Sequence, residues 1–324
     1  MKKVLVTGGA GFIGSNLCQA LLNRGYYVYC LDNLSNGRKE NIEEFLNNEN
    51  FKFIYGDILN YETCLDVTKN IDCVFHEAAL GSVPRSLKYP IDYNANNISG
   101  MLNMLEASRI NGVKKFVFAS SSSVYGSDKS FLKTEENVGN VLSFYALNKK
   151  VDEEYARLYY EIFNFKTIGL RYFNVFGPKQ KYDYKYSAVI PKFILNMIKG
   201  ENSKIFGDGE QSRDFTYVDN IVEANIKAMN CENTEAYGKA FNVGCNTSIS
   251  VNRLYNILAT KLNTKITPIY KEKRQGDILN SRADYSFATK VLGYKPIVNF
   301  EQGIDKTVDW YKKELDTHEE KEKC

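Results

Sequence analysis

The sequence predicts an α/β fold, a doubly wound parallel sheet with a smaller second α/β lobe, and three observations predict it. Short apolar runs alternate with helical stretches through the first half of the chain. The runs are continuously apolar, which is typical of parallel strands covered by helices on both faces. A glycine-rich turn joins the first run to the first helical stretch. Alternation of this kind favours a doubly wound arrangement.

The elements follow in chain order. Predicted strands lie at 4–6, 27–31, 51–55, 73–75, 116–119 and 167–172, and predicted helices near 11–23, 94–111 and 145–163. Beyond residue 174 we expect a loop at 177–187, a helix at 189–198, shorter irregular pieces and a fraying tail at 319–324. A strand-like segment at 240–243 is expected to return to the first sheet. The sequence therefore predicts a domain over 1–173, with a returning segment near 215–245, and a second lobe mainly over 174–320.

Composition narrows the class of protein. Hydrophobic residues make up 44% and charged residues 25% of the 324-residue chain, values typical of a soluble globular protein. The net charge of +3 is too small to indicate nucleic acid or a membrane surface. Seven cysteines without a C-x-x-C pair, and only two histidines, predict neither a disulfide framework nor a metal site. We expect a cytoplasmic protein.

The segment TGGAGFIG at 7–14 follows the first strand and opens the first helix. Its glycines satisfy G-x-G-x-x-G, which lets the backbone approach a pyrophosphate at the helix N-terminus. Asp32 ends the second strand about 20 residues later, where a carboxylate meets the ribose 2′-hydroxyl. This is a Rossmann-type dinucleotide site. The carboxylate would repel a 2′-phosphate, so NAD is favoured over NADP, although Arg38 nearby points weakly the other way.

A second candidate site combines SSSSVYG at 120–126 with a helical Tyr145 and Lys149. The serines follow a predicted parallel strand, and ligands of open α/β sheets bind at the carboxyl ends of strands. Tyr145 and Lys149 are four residues apart and share one helix face. A nearby ammonium stabilises a phenolate. Ser, Tyr and Lys in this arrangement indicate hydride-transfer chemistry. The one other tyrosine with a lysine four residues on, Tyr125, encloses a predicted turn.

These motifs together resemble a known family. GGAGFIG, LDN, GDI, HEAAL, SSSSVYG, YALNK and LRYFNVFG are similar to the extended short-chain dehydrogenase/reductase family, and most similar to its UDP-hexose 4-epimerases. The later GDGEQSRDFTYVD and RQGDILNSRAD resemble that family's nucleotide-sugar half, so the resemblance covers nearly the whole chain. It implies NAD as cofactor, a UDP-sugar as substrate, and a homodimer formed through the helices near 94–111 and 145–163.

The resemblance also implies residue roles. Tyr145 would be the catalytic base, Lys149 its electrostatic partner and a ribose ligand, and Ser121 the catalytic hydroxyl. The implied cofactor contacts are Gly8, Gly11, Phe12, Ile13, Asp32, Asn33, Ser35, Gly37, Asp57, Ile58, Ala78, Ala79, Asn96, Tyr145, Lys149, Tyr172 and Phe173. The implied substrate contacts are Gly81, Ser82, Ser121, Ser122, Ser123, Tyr145, Asn174, Ala188, Val189, Lys192, Gln211, Arg213, Arg274, Asp277 and Ser281.

Two positions bear on the identity of the sugar. Gly81 stands where glucose/galactose-specific relatives commonly have Lys, and AALGSVPRS at 78–86 resembles the branch acting on N-acetylated UDP-hexosamines. Ser281 lies at the family's gate position, where a small residue leaves room for a 2-acetamido group. The resemblance therefore implies interconversion of UDP-GlcNAc and UDP-GalNAc through a 4-keto intermediate, with UDP-Glc and UDP-Gal as weaker substrates.

Neighbouring activities differ at identifiable residues. The dTDP-glucose 4,6-dehydratases carry Asp-Glu where this chain has Ser122 and Ser123, and the distinctive proline-rich segment of the UDP-glucuronate decarboxylases is not evident at 80–86. A UDP-glucuronate 4-epimerase, or another NAD-dependent enzyme that modifies UDP-sugars, stays open as an alternative. A non-catalytic NAD sensor would need the glycines but not Ser121, Tyr145 and Lys149.

Overall fold

A computed structural model describes residues 1–182, 188–273 and 280–323, with side chains described as far as residue 316. Its strands are β1 (Lys3–Thr7), β2 (Tyr27–Asp32), β3 (Phe51–Tyr55), β4 (Cys73–His76), β5 (Lys115–Ser121), β6 (Leu132–Lys133), β7 (Thr167–Tyr172), β8 (Val175–Phe176), β9 (Lys204–Phe206), β10 (Ser212–Arg213), β11 (Thr216–Tyr217), β12 (Lys239–Val243), β13 (Ile249–Ser250), β14 (Ile269–Lys271) and β15 (Asn280–Ala283).

The helices are α1 (Phe12–Asn23), α2 (Tyr61–Val67), α3 (Val83–Lys88), α4 (Pro90–Tyr93), α5 (Gly100–Ile110), α6 (Phe144–Phe163), α7 (Val189–Ile198), α8 (Val218–Asn230), α9 (Val251–Lys261), α10 (Ser286–Leu292) and α11 (Phe300–Lys323). A π-helical turn at Asn94–Ser99 precedes α5, and short 3-10 turns lie at Lys39–Phe45, Ser122–Tyr125 and Thr234–Ala236. None of the described helices is long and apolar enough to cross a membrane.

Seven parallel strands form the main sheet in the order β3-β2-β1-β4-β5-β7-β12. The strand order reverses between β1 and β4, which is where a doubly wound sheet opens a crevice at its carboxyl edge. One face packs against α1 and α8 through Leu17, Leu21 and Ile221, and the other against α2, α5 and α6 through Met101 and other apolar side chains. The predicted fold class is confirmed.

The chain returns to this sheet after a long excursion. β12 pairs in parallel with β7 across Lys239–Val243, so residues far beyond 174 complete the sheet edge. A second core, around Phe193, Leu254 and Ile304, is built by α7, α9 and α11 with the short strands β8, β9 and β11. A four-stranded sheet in the order β13-β10-β15-β6 lies beside it.

The prediction of irregular pieces after residue 198 is wrong. Four helices, α8 to α11, follow α7, and α11 continues to Lys323 where a fraying tail was expected. Polar residues occur on the packed face of α8, where Asn220 and Asn225 are fully buried with hydrogen-bonded side-chain amides. Asn220 accepts the backbone N–H groups of Ile297 and Val298 and so anchors the connection to α11.

Candidate active site

A cavity of about 1140 Å³ opens at the carboxyl edge of the main sheet and extends to the second core. Among the predicted cofactor contacts it is lined by Gly8, Gly11, Phe12, Ile13, Asp32, Asn33, Ser35, Gly37, Ile58, Ala78, Ala79, Asn96, Tyr145, Lys149 and Tyr172. Among the predicted substrate contacts it is lined by Gly81, Ser82, Ser121, Ser122, Ser123, Tyr145, Asn174, Ala188, Val189, Lys192, Gln211, Arg213 and Ser281.

Four predicted contacts do not join that group. Asp57 is not among the residues that line the cavity, and its Oδ2 accepts the Asn33 side-chain amide at 2.8 Å. Phe173 is fully buried against Tyr125. Arg274 and Asp277 lie outside the described residues.

The glycine turn forms a cradle that side chains would fill. Gly8 has φ +66°, and a Cβ there would lie 2.7 Å from the Ala78 Cα. A Cβ on Gly14 would lie 2.2 Å from the Gly8 carbonyl oxygen. α1 starts at Gly11 with no side-chain cap and no acidic residue in its first turn, so its free N–H groups suit an anion. The cradle therefore fits a dinucleotide pyrophosphate.

Asp32 is held in place at the end of β2. Its Oδ2 accepts the Ala10 N–H at 3.0 Å and its Oδ1 accepts the Leu34 N–H at 2.8 Å. Burial raises the pKa of this carboxyl, and the two backbone N–H groups oppose the rise. The carboxylate thus holds the glycine turn in place through Ala10, and it lines the cavity where a ribose hydroxyl is expected.

The predicted catalytic side chains come from α6 and the end of β5. The Ser143 hydroxyl caps α6 by accepting the Ala146 N–H, which fixes the first turn that carries Tyr145. Tyr145 is partly exposed to the cavity, whereas Lys149 is 2% exposed and its Nζ lies 3.3 Å from Asp152 Oδ2. The Ser121 Oγ accepts the Ser123 N–H at 3.1 Å, which leaves its own proton available to a ligand.

Asp152 was missed by the sequence reasoning. Burial raises the pKa of its carboxyl to about 6, while the ammonium of Lys149 opposes the rise. A carboxylate three residues after the lysine on a helix was the available signal, since such pairs share one face. The ion pair with Asp152 holds the buried Lys149 ammonium in position.

Glu77, also missed, lines the cavity at the end of β4. The Tyr172 hydroxyl donates to Glu77 Oε1 at 2.8 Å and accepts the Asn225 side-chain amide at 2.8 Å. Burial raises the pKa of the Glu77 carboxyl to about 7 against the opposing effects of the Tyr172 hydrogen bond and Lys149. A glutamate directly after a buried strand was the only signal in the sequence.

The sugar end of the cavity is formed by small residues. Ser281 on β15 is 9% exposed and is paired in register with Arg213 on β10. At Gly81 a Cβ would meet no heavy atom within 4 Å. The loop around Gly81 is fixed on both sides, because Leu80 donates its N–H to Asn97 Oδ1 at 2.8 Å and Ser82 donates its N–H to the Tyr93 hydroxyl at 3.1 Å.

A second helix N-terminus faces the same end. α7 starts after Ala188 with no side-chain cap and no acidic residue in its first turn. Ala188, Val189 and Lys192 all line the cavity. The positive end of a helix and a lysine at one place suit a second diphosphate. The cavity therefore offers two anion sites, one at each end.

Comparison with known proteins agrees with this site. Residues 4–244 match the NAD dependent epimerase/dehydratase family. The chain is 37% identical over 312 residues to a putative UDP-glucose 4-epimerase of Methanocaldococcus jannaschii, covering 95% of this chain and 98% of that protein. The UDP-N-acetylglucosamine 4-epimerase of Methanobrevibacter ruminantium M1, solved with UDP-N-acetylmuramic acid, is 40% identical with a TM-score of 0.90, covering 97% and 99% of the two chains.

A UDP-glucuronic acid 4-epimerase from Bacillus cereus, solved with UDP-glucuronic acid and NAD, is 34% identical with a TM-score of 0.89 over 96% and 99% of the two chains.

The fold and the site together define an enzyme that binds a dinucleotide cofactor in the glycine cradle. The chain belongs to the NAD dependent epimerase/dehydratase family. It is an NAD-dependent 4-epimerase, an isomerase, and the predictions of family, enzyme class and cofactor are confirmed.

Proposed function

We propose that this enzyme interconverts UDP-GlcNAc and UDP-GalNAc at C4, with UDP-Glc and UDP-Gal as weaker substrates. UDP-sugars are named for the relatives compared above, and the two anion sites of the cavity suit a dinucleotide and a nucleoside-diphosphate sugar together. The observation that carries the choice of sugar is the empty space at Gly81 together with the small Ser281 beside Arg213.

The chain's own residues would divide the chemistry as follows. The glycine cradle, Asp32 and Lys149 would hold NAD, which supplies a reversible two-electron acceptor for C4 when bound. Tyr145, with Lys149 as its electrostatic partner one helical turn away, would take the proton from the sugar O4 and later return it. The Ser121 hydroxyl would donate a hydrogen bond to the same oxygen. Nothing is consumed, because each group ends the cycle as it began.

The substrate contacts would act on the other end. Arg213 suits the diphosphate because a guanidinium donates two parallel hydrogen bonds, and the free N–H groups of α7 would add to it. Residues 1–173 with the returning segment would then hold NAD, and residues 174–320 mainly the UDP-sugar.

We also propose a homodimer. Apolar side chains stand exposed on the outer surface near α3 to α6, including Leu87, Ile91, Leu147 and Ile162. Exposed apolar clusters of this kind indicate association with a partner surface. Sedimentation analysis showing a monomer at micromolar concentration would contradict this proposal.

One assay tests the proposed function. The enzyme is incubated separately with UDP-GlcNAc, UDP-Glc and UDP-GlcA, and the epimers of each are resolved by chromatography. We expect the largest kcat/KM for UDP-GlcNAc and a smaller one for UDP-Glc. A larger value for UDP-GlcA would replace our proposal with the glucuronate 4-epimerase alternative. No epimer from any of the three would contradict the activity itself.

A further inference from the structure

The Glu77 carboxyl is fixed in the cavity floor but only half satisfied. Its Oε1 accepts the Tyr172 hydroxyl, which Asn225 holds from the other side, and the Asn225 amide is itself tied to the Ile221 carbonyl at 3.0 Å. Its Oε2 is buried without a hydrogen-bond partner of normal geometry among the described residues, although the Asn225 side chain lowers the pKa of the carboxyl. A rigid carboxyl that lines the cavity and is paired through only one oxygen keeps a charge that neighbouring side chains do not fully compensate.

The position of Glu77 in the sheet tells which part of the cofactor this charge acts on. It directly follows β4, on the side of the strand-order reversal that holds β4, β5 and β7. In a doubly wound sheet the first half takes one mononucleotide and the second half the other. With the adenosine end marked by Asp32 on β2, the half next to Glu77, Tyr145 and Lys149 receives the nicotinamide nucleotide.

We infer that Glu77 favours the oxidised, cationic form of the bound cofactor over its reduced, neutral form. A carboxylate attracts the positive charge of the oxidised ring and gains nothing from the neutral one, and the attraction is strong where water is excluded. The cofactor's diphosphate repels Glu77 equally in both redox states, so it cancels from the comparison. The inference needs NAD as cofactor but not the identity of the sugar.

The other groups around Glu77 leave this role open to it. Lys149, from α6, is the cation that acts on it, and that ammonium is engaged by Asp152. His76, on β4, accepts or donates at Thr7 Oγ1, and burial lowers its pKa to about 3, so it is neutral. Burial and Glu77 itself raise the pKa of Tyr172 well above its usual value. Asn225, from α8, carries no charge, and Glu77 forms no ion pair within the described part of the chain.

The consequence for the reaction is that the electron pair returns readily to the sugar. During the cycle two electrons and a proton leave C4 for the cofactor, and the O4 proton goes to Tyr145. All of them return to the same carbon and oxygen, so no outside oxidant is needed. A carboxylate that disfavours the reduced state shortens the time in which the 4-keto sugar can escape.

The test compares Glu77→Gln with wild type as holoenzymes saturated with UDP-GlcNAc and, separately, with UDP-Glc. Glutamine keeps an oxygen that accepts the Tyr172 hydroxyl but cannot ionise. The readout is the near-ultraviolet absorbance of the reduced cofactor at steady state. At pH 8 we expect the ratio of reduced to oxidised cofactor to rise roughly tenfold in the variant, which corresponds to about 1.4 kcal/mol. Below about pH 6 the two proteins should agree, because wild-type Glu77 is then protonated.

Glu135→Gln is the matched control. Glu135 is another carboxyl whose pKa is raised by burial, but it bonds the Asn242 N–H away from the cavity and should leave the ratio unchanged. An unchanged or lowered ratio in Glu77→Gln at pH 8 would overturn the inference.

A second measurement needs neither a variant nor a substrate. In wild type, the dissociation constant of NADH divided by that of NAD should rise as pH rises through about 7, because the carboxyl ionises there. A pH-independent quotient, measured by calorimetry on cofactor-depleted enzyme, would also overturn the inference. Absence of epimerase activity on these sugars would leave this binding measurement intact, so the two proposals fail separately.

Discussion

The two ends of the cavity are built in opposite ways. At the cofactor end, side chains are held by specific contacts: Asp32 by two backbone N–H groups and Lys149 by a buried carboxylate. At the sugar end, Gly81 and Ser281 provide space rather than contacts. Chemistry needs groups fixed to within a fraction of an ångström. Selection among sugars needs only enough space for the larger substituent. We therefore expect substitutions at the cofactor end to reduce catalysis and substitutions at the sugar end to change substrate preference.

Removal of the proton acceptor should have the largest effect. Tyr145→Phe removes the hydroxyl that exchanges the O4 proton, and we expect kcat to fall roughly 10³-fold, within the range of general acid–base catalysis. Lys149→Met should also abolish most turnover, because Tyr145 loses the buried cation one helical turn away. The measurement is steady-state epimerisation with NAD content determined in parallel. Near-wild-type turnover in either variant would show that the cofactor end does not carry the chemistry.

Substitution in the glycine cradle should be nearly as damaging as substitution of Tyr145 or Lys149. Gly8→Ala places a Cβ 2.7 Å from the Ala78 backbone at φ +66°, so we expect NAD affinity to fall by on the order of 10²-fold. Gly25→Ala is the matched control, since Gly25 has φ +77° and nothing within 4 Å of its Cβ position. The control should lose some stability and keep NAD. Equal NAD loss in both would mean that backbone strain, not the close approach, is responsible.

Filling the sugar end should have a smaller and selective effect. Ser281→Tyr narrows the space beside Arg213, and we expect kcat/KM for UDP-GlcNAc to fall roughly tenfold relative to that for UDP-Glc. Ser281→Ala removes the hydroxyl without filling the space and should change the ratio little. Unaltered selectivity in Ser281→Tyr would show that the acetamido group is accommodated elsewhere.

The predictability of the site follows the same division. The glycine cradle, Asp32 and the Tyr145–Lys149 pair are local patterns, fixed by spacing along one strand, turn or helix, and the structure brings them to one cavity. Glu77, Tyr172 and Asn225 meet only because β4 and β7 flank β5 in the folded sheet and α8 packs against that sheet. No spacing in the chain announces such a contact. The role of each predicted residue stays a prediction until the variants above are measured.

The second lobe was harder to predict than the first for a physical reason. The strands outside the main sheet are two to four residues long, too short to show an apolar pattern, and they pair with segments far away in the sequence. α8 and α9 are amphipathic helices, so the expectation of irregular pieces there overlooked a helical pattern that the sequence carries. Phe173 was placed at the cofactor by motif, but its ring packs in a small core with Tyr125, Val124 and Ala283.

The pairing of β7 with β12 also bears on how the protein is made. During synthesis, β7 leaves the ribosome well before the segment Lys239–Val243 that pairs with its outer edge. The interval between β6 and its partner strand β15 is longer still. Unpaired strand edges of this kind recruit other chains. Asn242, on β12, links the two pairings, because its side-chain amide donates to the carbonyls of Lys133 on β6 and of Asp284 directly after β15. A chain cut near residue 173 would keep every glycine of the cradle and still be prone to aggregation, so nascent chains of this length are natural clients for chaperones.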